Sequence, residues 1–388
     1  MRVAIVSRIY RPEPSAASLF LGAVADELTG RGNRVVVLTA RPPKSTRTPR
    51  HVETVRTFPV VRDRQGYVRG YIPYLSFDIP LAFRLLFLRR PDVVFMEPPP
   101  TTGVVVRVIC ALRRIPYVYD AADIWSDAAD QATNSSLVIR VLRAMEGFGM
   151  RGAERLVTIS QGVVTRARAL GVSRRIAVTG FGADTGAFAP DSDVPVRKLF
   201  VYAGSYSPWH GAEALIDAFG IFSREHPGYT LRFIGNGSER ELIEERARQV
   251  GVADAVEFLA AMPAEELLPH LNEAVASMAT LRPGTGYDYA FTTKAYSSLA
   301  AGCPVLFAGP GPTAPFLREA NRHVRAGIAC EYDVAQIAIA MEQLAITPLS
   351  AQEREDLGRW TAEEHSLTAV ARRVVDNIES AAVRSEER

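Results

Sequence analysis

The chain has 388 residues, of which 47% are hydrophobic and 23% are charged. This length suits two domains, and the composition is that of a core-forming globular protein rather than a disordered one. No run of about 18 uncharged apolar residues occurs, which argues against a membrane-spanning helix. The three cysteines, Cys110, Cys303 and Cys330, are too few and too scattered for a disulfide framework or a zinc site. A reducing cytoplasm is therefore the expected compartment.

The small net charge of +2 conceals a strong asymmetry along the chain. Residues 1–198 hold 29 basic and 17 acidic side chains, whereas residues 199–388 hold 16 and 26. This difference indicates two domains with different partners, and an anionic partner for the first. Nucleic acid is not expected as that partner, because the arginines are not interleaved with stacking aromatic residues along one element.

The first forty residues predict a βαβ unit. An apolar strand at Arg2–Ser7 precedes a helix over residues 16–29, a stop at Gly30 and Gly32, and a second apolar strand at 35–39. Continuous Val and Ile runs are typical of a parallel sheet covered on both faces. Similar runs predict further strands at 92–96, 117–119 and 156–159.

The same pattern starts again after a Pro- and Asp-rich linker at 190–195. Strands are predicted at 199–203, 230–234, 256–259, 275–279 and 304–307, with a helix near 212–225. We therefore predict an α/β protein of two Rossmann-like, doubly wound domains, residues 1–195 and 196–360, that face a cleft. A C-terminal helix within 361–388 either caps the second domain or crosses back to the first. Ligands are expected at the carboxyl ends of the strands.

Two glycine-bearing loops follow predicted strands of the second domain, at Gly204–Gly211 and Gly235–Gly237. Backbone N–H groups in such loops, together with the positive end of the following helix, suit a phosphate. Neither loop has the spacing of a dinucleotide fingerprint or a Walker loop, so an ordinary strand-to-helix turn is the alternative.

Lys294 is the only lysine among residues 199–388. Thr292 and Thr293 are N-cap candidates, which would place Lys294 in the first turn of a helix rich in small residues. A lysine is unfavourable at that end of the helix dipole unless an anion lies nearby. An anion-binding lysine is therefore one interpretation, and a solvated surface lysine is the other.

The segment from Tyr287 to Val305 is similar to the P-x-K-x-x-E-x-x-A-x-G-x-P-V stretch of the family 4 retaining glycosyltransferases, which have the GT-B fold. Further segments resemble the same family in order and spacing: 8–14, 176–190, 231–237, 256–263 and 326–334. The resemblance spans nearly the whole chain. It implies transfer of a sugar from a nucleotide sugar to a lipid-linked or other small acceptor, in surface-polysaccharide or natural-product assembly.

The resemblance also implies a donor site in the second domain. Lys294 matches the motif lysine, His210 stands at a phosphate-binding basic position, and Asp288 lies near the first motif glutamate. Ser297 departs from the second, and a neutral hydroxyl holds a ribose diol more weakly than a carboxylate does. This departure leaves open a different donor nucleotide, a donor bound through other residues, or a weakened enzyme. The implied donor-binding residues are Gly204, Ser205, His210, Gly235, Asn236, Asp288, Phe291, Lys294 and Ser297.

The first domain carries the implied acceptor site. The family often has His-Asp after the strand at 117–119, where this chain has Ala122 and Asp123. Asp123 is therefore a candidate for orienting or deprotonating the acceptor, with Glu13 and Trp125 as acceptor-binding residues; a helix-capping aspartate is the alternative. The implied catalytic residues are Asp123, His210 and Lys294. No metal or cofactor is expected, because basic and amide groups can stabilise the leaving diphosphate.

Three stretches of the basic half combine apolar residues with arginine: Leu81–Arg90, Val104–Arg114 and Ser136–Arg143. They predict either contact with an anionic membrane or a lipid diphosphate, or ordinary core helices whose arginines face water. The expected location is cytoplasmic, with peripheral contact at the inner face of the membrane.

Two functions other than glycosyl transfer stay open. One is a GT-B sugar-nucleotide epimerase, and the other is a degenerate partner subunit, favoured by the departures at Ala122, Ser205 and Ser297.

Overall fold

The computed structural model describes residues 1–13, 15–43, 52–62, 68, 71–127 and 135–386. They divide into two compact units: unit 1 is residues 1–181 with residues 367 onward, and unit 2 is Gly182–Ser366. The strands of unit 1 are β1 (Arg2–Val6), β2 (Arg34–Ala40), β3 (Thr54–Phe58), β4 (Val93–Met96), β5 (Tyr117–Ala121), β6 (Arg155–Thr158) and β7 (Arg175–Val178). Those of unit 2 are β8 (Leu199–Ala203), β9 (Thr230–Ile234), β10 (Val256–Leu259), β11 (Ala276–Thr280), β12 (Val305–Ala308) and β13 (Gly327–Cys330).

Thirteen α-helices connect the strands in the described part of the chain. They are α1 (Ala16–Gly30), α2 (Tyr71–Phe87), α3 (Pro100–Arg113), α4 (Ser136–Gly152), α5 (Gln161–Ala169), α6 (Glu213–Glu225), α7 (Arg240–Val250), α8 (Ala264–Glu273), α9 (Lys294–Ala300), α10 (Thr313–Ala320), α11 (Val334–Ile346), α12 (Ala351–His365) and α13 (Leu367–Glu386). No single described helix is long and apolar enough to cross a bilayer. Only α11 and α12 together, bent by 117°, meet that test by length and composition.

Both sheets are parallel and doubly wound, as the sequence predicts. The strand order is β3-β2-β1-β4-β5-β6-β7 in unit 1 and β10-β9-β8-β11-β12-β13 in unit 2. In each sheet the order reverses next to its first strand, β1 or β8, which is where open α/β sheets form ligand crevices at their carboxyl edge. The predicted fold class is confirmed.

The last helix belongs to unit 1 although it comes from the far end of the chain. Val370, Val374 and Ile378 of α13 are fully buried and share one core with Leu21 and Val24 of α1. The C-terminal helix therefore completes the first unit rather than capping the second.

The division between the units falls between Phe181 and Gly182, before the linker at 190–195 that the sequence suggests. Residues after Phe181 already contact unit 2, because the Ala183 N–H donates to the carbonyl of His365 at 2.7 Å. Pro190 is likewise in contact distance of Gly358. The linker is thus part of unit 2 by its contacts.

Candidate functional site

A cavity of about 390 Å³ opens at the carboxyl ends of β8, β9 and β10 in unit 2. The two glycine loops and the first turns of α9 line it, together with Ala261, Met262 and the α8 residues Leu267 and Leu271. Six of the implied donor-binding residues line it: Gly204, Ser205, Gly235, Asn236, Lys294 and Ser297.

The two loops approach each other too closely for side chains. Gly204 and Gly235 have φ values of +144° and +147°. A β-carbon on Gly235 would collide with the carbonyl oxygen of Gly204, and one on Gly204 would lie 2.9 Å from Nζ of Lys294. The Tyr206 N–H donates to the Asn236 carbonyl at 3.0 Å and ties the loops together. Glycine is required at both positions so that the backbones and the lysine can share this space.

The ammonium nitrogen of Lys294 is buried and has no hydrogen-bond partner among the described residues. It lies 3.7 Å from the centroid of the Tyr202 ring. Burial lowers the pKa of Lys294 to about 7. The amides of Ser205 and Asn236, in the same wall, likewise have no partner within the described part of the chain. A titratable amine and two unpaired N–H donors around one cavity make an anion site.

The expected N-cap at Thr293 is not formed. Thr293 occupies the N-cap position of α9, but its backbone is helical and its side chain makes no capping hydrogen bond. The helix is instead fixed by packing and by Ser298, whose hydroxyl donates to Ser277 Oγ at 2.8 Å. Lys294 does lie in the first turn of the helix, as predicted, but the Thr293 side chain does not cap that helix.

His210 lies beside the cavity rather than in its wall. Its Nδ1 is 2.9 Å from the carbonyl oxygen of Ser205, which assigns the proton to Nδ1. Burial, and then the charge of Lys294, lower the pKa of His210 to about 4. The imidazole is therefore neutral near pH 7 and holds the Ser205 loop, and its role in phosphate binding stays a prediction.

Asp288 and Phe291 do not line this cavity. The Asp288 carboxylate accepts a hydrogen bond from the Gly284 N–H at 2.9 Å, within its own exposed loop. The Phe291 ring is buried, stacks on Tyr296 at 4.9 Å and meets Phe316 edge-on. Phe291 is thus a packing residue of unit 2, and Asp288 a turn-stabilising one.

A second cavity, of about 380 Å³, lies at the carboxyl ends of β4 to β7 in unit 1. Three carboxyl groups, Glu97, Asp120 and Asp123, face it together with Trp125. The rest of its wall is mostly apolar: Ala17, Phe20, Pro98, Ala122, Ile159, Gly180 and Phe181. Asp123 and Trp125 are therefore placed where the sequence analysis puts the acceptor site.

The carboxyl groups of this cavity hold protons unusually tightly. Burial raises the pKa of Glu97 to about 6, and burial with the charges of Glu97 and Asp123 raises the pKa of Asp120 well above its usual range. Asp123 is exposed at the rim, yet the surrounding protein also raises its pKa. Burial and like charges favour the protonated forms of these carboxyl groups, and a protonated carboxyl group can both accept and donate hydrogen bonds to hydroxyls.

Glu146 positions the rim of this cavity. Its buried carboxylate accepts hydrogen bonds from the backbone N–H groups of Trp125 at 2.7 Å and Ser126 at 2.9 Å. These are the donors that a capping Asp123 would have taken, so Asp123 is not the helix cap. The guanidinium of Arg8 lies 4.9 Å from the Trp125 ring and fixes that side chain from the other side.

Glu13 is occupied elsewhere. Its carboxylate forms an ion pair with Arg62 at 2.7 Å, and Glu13 does not line the cavity of unit 1.

Glu97 and Asp120 are the cavity residues that the sequence did not predict. Each directly follows a predicted strand, at 92–96 and 117–119, and that position at the carboxyl edge of a parallel sheet was the available signal.

Two family models match the chain. Residues 17–182 match the glycosyl transferase 4-like domain, and residues 191–361 match the glycosyl transferases group 1. The chain belongs to the family 4 glycosyltransferases of the GT-B fold. The two models meet close to the boundary between units 1 and 2, so each cavity lies within one matched region.

Two curated relatives of this glycosyltransferase are proteins of Mycobacterium tuberculosis. Over 230 residues, 58% of the chain, it is 26% identical to a glycogen synthase of Mycobacterium tuberculosis and spans about half of that protein (53%). Over 326 residues, 74% of the chain, it is 26% identical to a GDP-mannose-dependent alpha-(1-6)-phosphatidylinositol monomannoside mannosyltransferase of the same species, covering 82% of it.

Solved structures share the fold over almost the whole chain. A sucrose-phosphate synthase from Thermosynechococcus elongatus superimposes with a TM-score of 0.70 at 16% identity, covering 98% of each chain. The Anabaena protein Alr3699/HepE, in complex with UDP-glucose, gives a TM-score of 0.67 at 16% identity, covering 98% of this chain and all of the other. At this identity the likeness establishes the GT-B fold alone.

Proposed function

We propose that this glycosyltransferase moves a hexose from a nucleoside-diphosphate sugar, bound in unit 2, to a hydroxyl group of a lipid-linked or small-molecule acceptor. The buried, unpaired ammonium of Lys294 beside the two glycine loops carries the donor assignment. A diphosphate would supply its missing anionic partner and accept hydrogen bonds from the amides of Ser205 and Asn236. The UDP-glucose held by HepE and the GDP-mannose in the mannosyltransferase's name support the same donor class.

The acceptor is proposed to bind in the cavity of unit 1. Asp123 would orient the acceptor hydroxyl or take its proton, Glu97 and Asp120 would hold neighbouring hydroxyls, and Trp125 would pack against a sugar or polyol face. The name of the mannosyltransferase relative, which specifies a phosphatidylinositol monomannoside, supports a lipid-linked polyol as acceptor.

In the proposed transfer, the bond from the anomeric carbon to the diphosphate oxygen breaks and a bond to the acceptor oxygen forms on the same face of the sugar. The acceptor proton goes to the leaving diphosphate or to Asp123. Lys294 and the loop amides stabilise the charge that develops on the diphosphate. Retention of the anomeric configuration is part of this proposal.

We also propose that the transfer needs no divalent metal and no cofactor, because Lys294 and the amides supply the charge stabilisation. Glu225, His226 and Glu342 are spaced closely enough to hold an ion, but they line neither cavity. Turnover that is lost with EDTA and restored by Mg²⁺ would contradict this proposal.

The donor assignment is tested by nucleotide binding and by product formation. We expect one of UDP, GDP, ADP and dTDP to raise the melting temperature, and the matching nucleotide sugar to give product only when an acceptor is present. Lys294→Met should weaken binding about 10- to 100-fold, the effect of losing a charge-assisted hydrogen bond. Lys198→Met, at an exposed lysine of the same unit, is the matched control. Product without acceptor would indicate an epimerase, and failure to bind any of the four nucleotides would indicate a degenerate subunit.

A further inference from the structure

The cavity of unit 1 is acidic, although the first half of the chain is basic. Glu97, Asp120 and Asp123 line it, and every other residue of its wall is uncharged. No lysine, arginine or histidine of the described ranges is among the lining residues. A phosphate group would therefore be repelled in this cavity, and an anionic partner of unit 1 would bind elsewhere.

The carboxyl group of Asp120 has no partner in the part of the chain that the structure describes. Asp120 is 5% exposed and lies near the carboxyl end of β5, in the wall of the cavity. Its surroundings supply burial and like charges but no hydrogen bond. Glu97, which follows the neighbouring strand β4, instead accepts a hydrogen bond from the Ser7 hydroxyl at 2.9 Å. A buried polar group without a partner is costly, so Asp120 points to a ligand that supplies one.

Arg8 is a cation near these carboxyl groups, but it does not line the cavity. Its guanidinium donates a hydrogen bond to a backbone carbonyl at 2.8 Å and lies against the Trp125 ring. Its charge partly offsets the effect of burial on the pKa of Glu97, whereas the pKa of Asp120 is raised by burial and by the charges of Glu97 and Asp123. Asp120 and Asp123 therefore carry an uncompensated negative charge when they are ionised.

The spacing of the three carboxyl groups does not suit a metal ion. A metal ion gathers its oxygen ligands within about 2.0–2.6 Å of itself, so the ligand atoms lie close together. Among the described residues, Glu225, His226 and Glu342 form the group of three whose ligand atoms all lie within 4.8 Å of one another, and the carboxyl groups of the unit 1 cavity do not meet that limit. A cation that fits a wider cavity with mostly apolar walls is an organic one.

We infer that the acceptor is an amino-substituted polyol, such as an amino sugar or an aminocyclitol, whose ammonium group binds Asp120. An ammonium group has three N–H donors and a positive charge, so it supplies the partner that Asp120 lacks. Hydroxyl groups of the same ring bind Glu97 and Asp123, and the apolar part of the wall covers the carbon atoms of the ring. This inference rests on the proposed function, because it specifies the acceptor of the same transfer.

Calorimetric titration of the full chain with small polyols, in the absence of nucleotide, tests the ammonium site. D-glucosamine is compared with D-glucose, and 2-deoxystreptamine with myo-inositol, so that each amine has an uncharged counterpart. We expect at least one amine to bind about tenfold or more tightly than its counterpart, the effect of a charge-assisted hydrogen bond. D-glucose 6-phosphate should bind more weakly than D-glucose. Equal affinity within both pairs, or tighter binding of the phosphate, would overturn the inference.

Asp120→Asn keeps the size of the side chain and removes its charge. It should weaken binding of the amine about 10- to 100-fold and change binding of the uncharged counterpart by no more than about twofold. Asp123→Asn, at the exposed rim, should reduce the same preference and keeps the test valid where the buried substitution unfolds the protein. The matched control is Asp92→Asn, at an exposed aspartate next to β4 at the other edge of the sheet, which should change neither affinity. An undiminished preference for the amine in both test variants would contradict the assignment.

Nucleotide binding by the same proteins separates this inference from the proposed function, because the donor cavity lies in unit 2. Nucleoside diphosphate binding with no preference for amines would overturn the amine assignment and leave the transferase proposal standing. Amine binding that depends on Asp120, with no binding of any of the four nucleotides, would support the ammonium site and contradict the transferase proposal.

Discussion

The amine of Lys294 is buried in the wall of the unit 2 cavity, where burial disfavours its charged form. Its pKa of about 7 leaves the free protein with a mixture of ammonium and neutral amine near physiological pH. An anion in the cavity would favour the ammonium form, since an opposite charge within a few ångströms raises the pKa of an amine. Donor binding is then linked to proton uptake, which gives the site a measurable pH signature.

We expect the affinity for a nucleoside diphosphate to fall as the pH rises above about 7, the pKa of free Lys294. The fall should approach tenfold per pH unit until the pKa of the bound state is reached. Calorimetric titrations at several pH values, in buffers that differ in ionisation enthalpy, measure the slope and the proton uptake. Lys294→Met should bind weakly with a flatter profile, whereas Lys198→Met should keep the slope; an unchanged slope in Lys294→Met would contradict the assignment.

In unit 1, burial shifts the pKa of Glu97 in the opposite direction to that of Lys294. Burial raises its pKa from 4.5 to about 6, so between these values the folded protein binds more protons than the unfolded chain. Stability contributed by this group therefore falls as the pH rises through that window and stays lower above it. The cost is tolerated at a position that faces the cavity of unit 1.

Glu97→Gln should accordingly raise the free energy of unfolding at pH 8, by about 1–2 kcal/mol, and give no gain at pH 4. The amide removes the buried charge and can still accept the hydrogen bond that the Ser7 hydroxyl donates at 2.9 Å. Denaturant unfolding at the two pH values measures the difference, with Glu239→Gln as control. A loss of stability at pH 8 would show that the carboxylate is stabilised by its surroundings.

At the scale of elements, the two glycine loops of unit 2 depend on each other's backbone conformation. Each loop leaves a neighbouring strand, β8 or β9, and each needs a glycine with positive φ where it passes the other. The same close approach leaves the Lys294 ammonium between the loops and Tyr202. The anion site therefore depends on the register of two strands as much as on its own residues.

Gly235→Ala should disrupt both loops, because the new β-carbon collides with the Gly204 carbonyl. We expect a loss of about 2 kcal/mol or more in unfolding free energy and a parallel loss of nucleotide affinity. Gly251→Ala is the matched control, since Gly251 also has positive φ, +80°, but open space at its β-carbon. It should cost about 1 kcal/mol and leave nucleotide affinity unchanged. Denaturant unfolding and calorimetry on both variants separate backbone strain from the collision.

The strands that the sequence predicted are mostly those in the interior of the sheets. The three it missed, β3, β7 and β13, are all edge strands. Edge strands are covered less completely: Phe58 is the one buried residue of β3, and no residue of β7 or β13 is buried. Apolar patterns in a sequence indicate buried strands. Edge strands are less buried, and for that reason the sequence did not predict these three.

The candidate sites show the same limit. Gly204, Gly235 and Lys294 were predicted because local pattern and family resemblance both mark them. Glu97 was missed because its role arises from the pairing of β4 with β5, which brings it beside Asp120. The sequence predicted His210 as a site residue. It did not predict a neutral imidazole, because the low pKa of His210 depends on burial and on the charge of Lys294.

At the scale of the whole molecule, the asymmetry of charge follows the division of the chain into two units. The acidic residues concentrate in unit 2, yet its cavity contains no carboxylate, and Lys294 is the charged residue of its wall. The basic residues concentrate in unit 1, where several of them lie at the amino-terminal edge of the sheet rather than around the cavity at its carboxyl edge. The net charge of a unit therefore does not predict what its cavity binds, and the residues that line each cavity are the better guide.

Unit 1 is built from both ends of the chain, so its stability should depend on the last helix. Val374→Asp places a charge in the core that α13 shares with α1 and should cost more than about 3 kcal/mol. Val383→Asp, an exposed position of the same helix at 55%, should change stability by less than about 0.5 kcal/mol. Denaturant unfolding of the full chain should show an earlier transition for Val374→Asp, while nucleotide binding by unit 2 persists. Equal effects of the two substitutions would mean that α13 is an appendage and that residues 1–181 hold their fold without it.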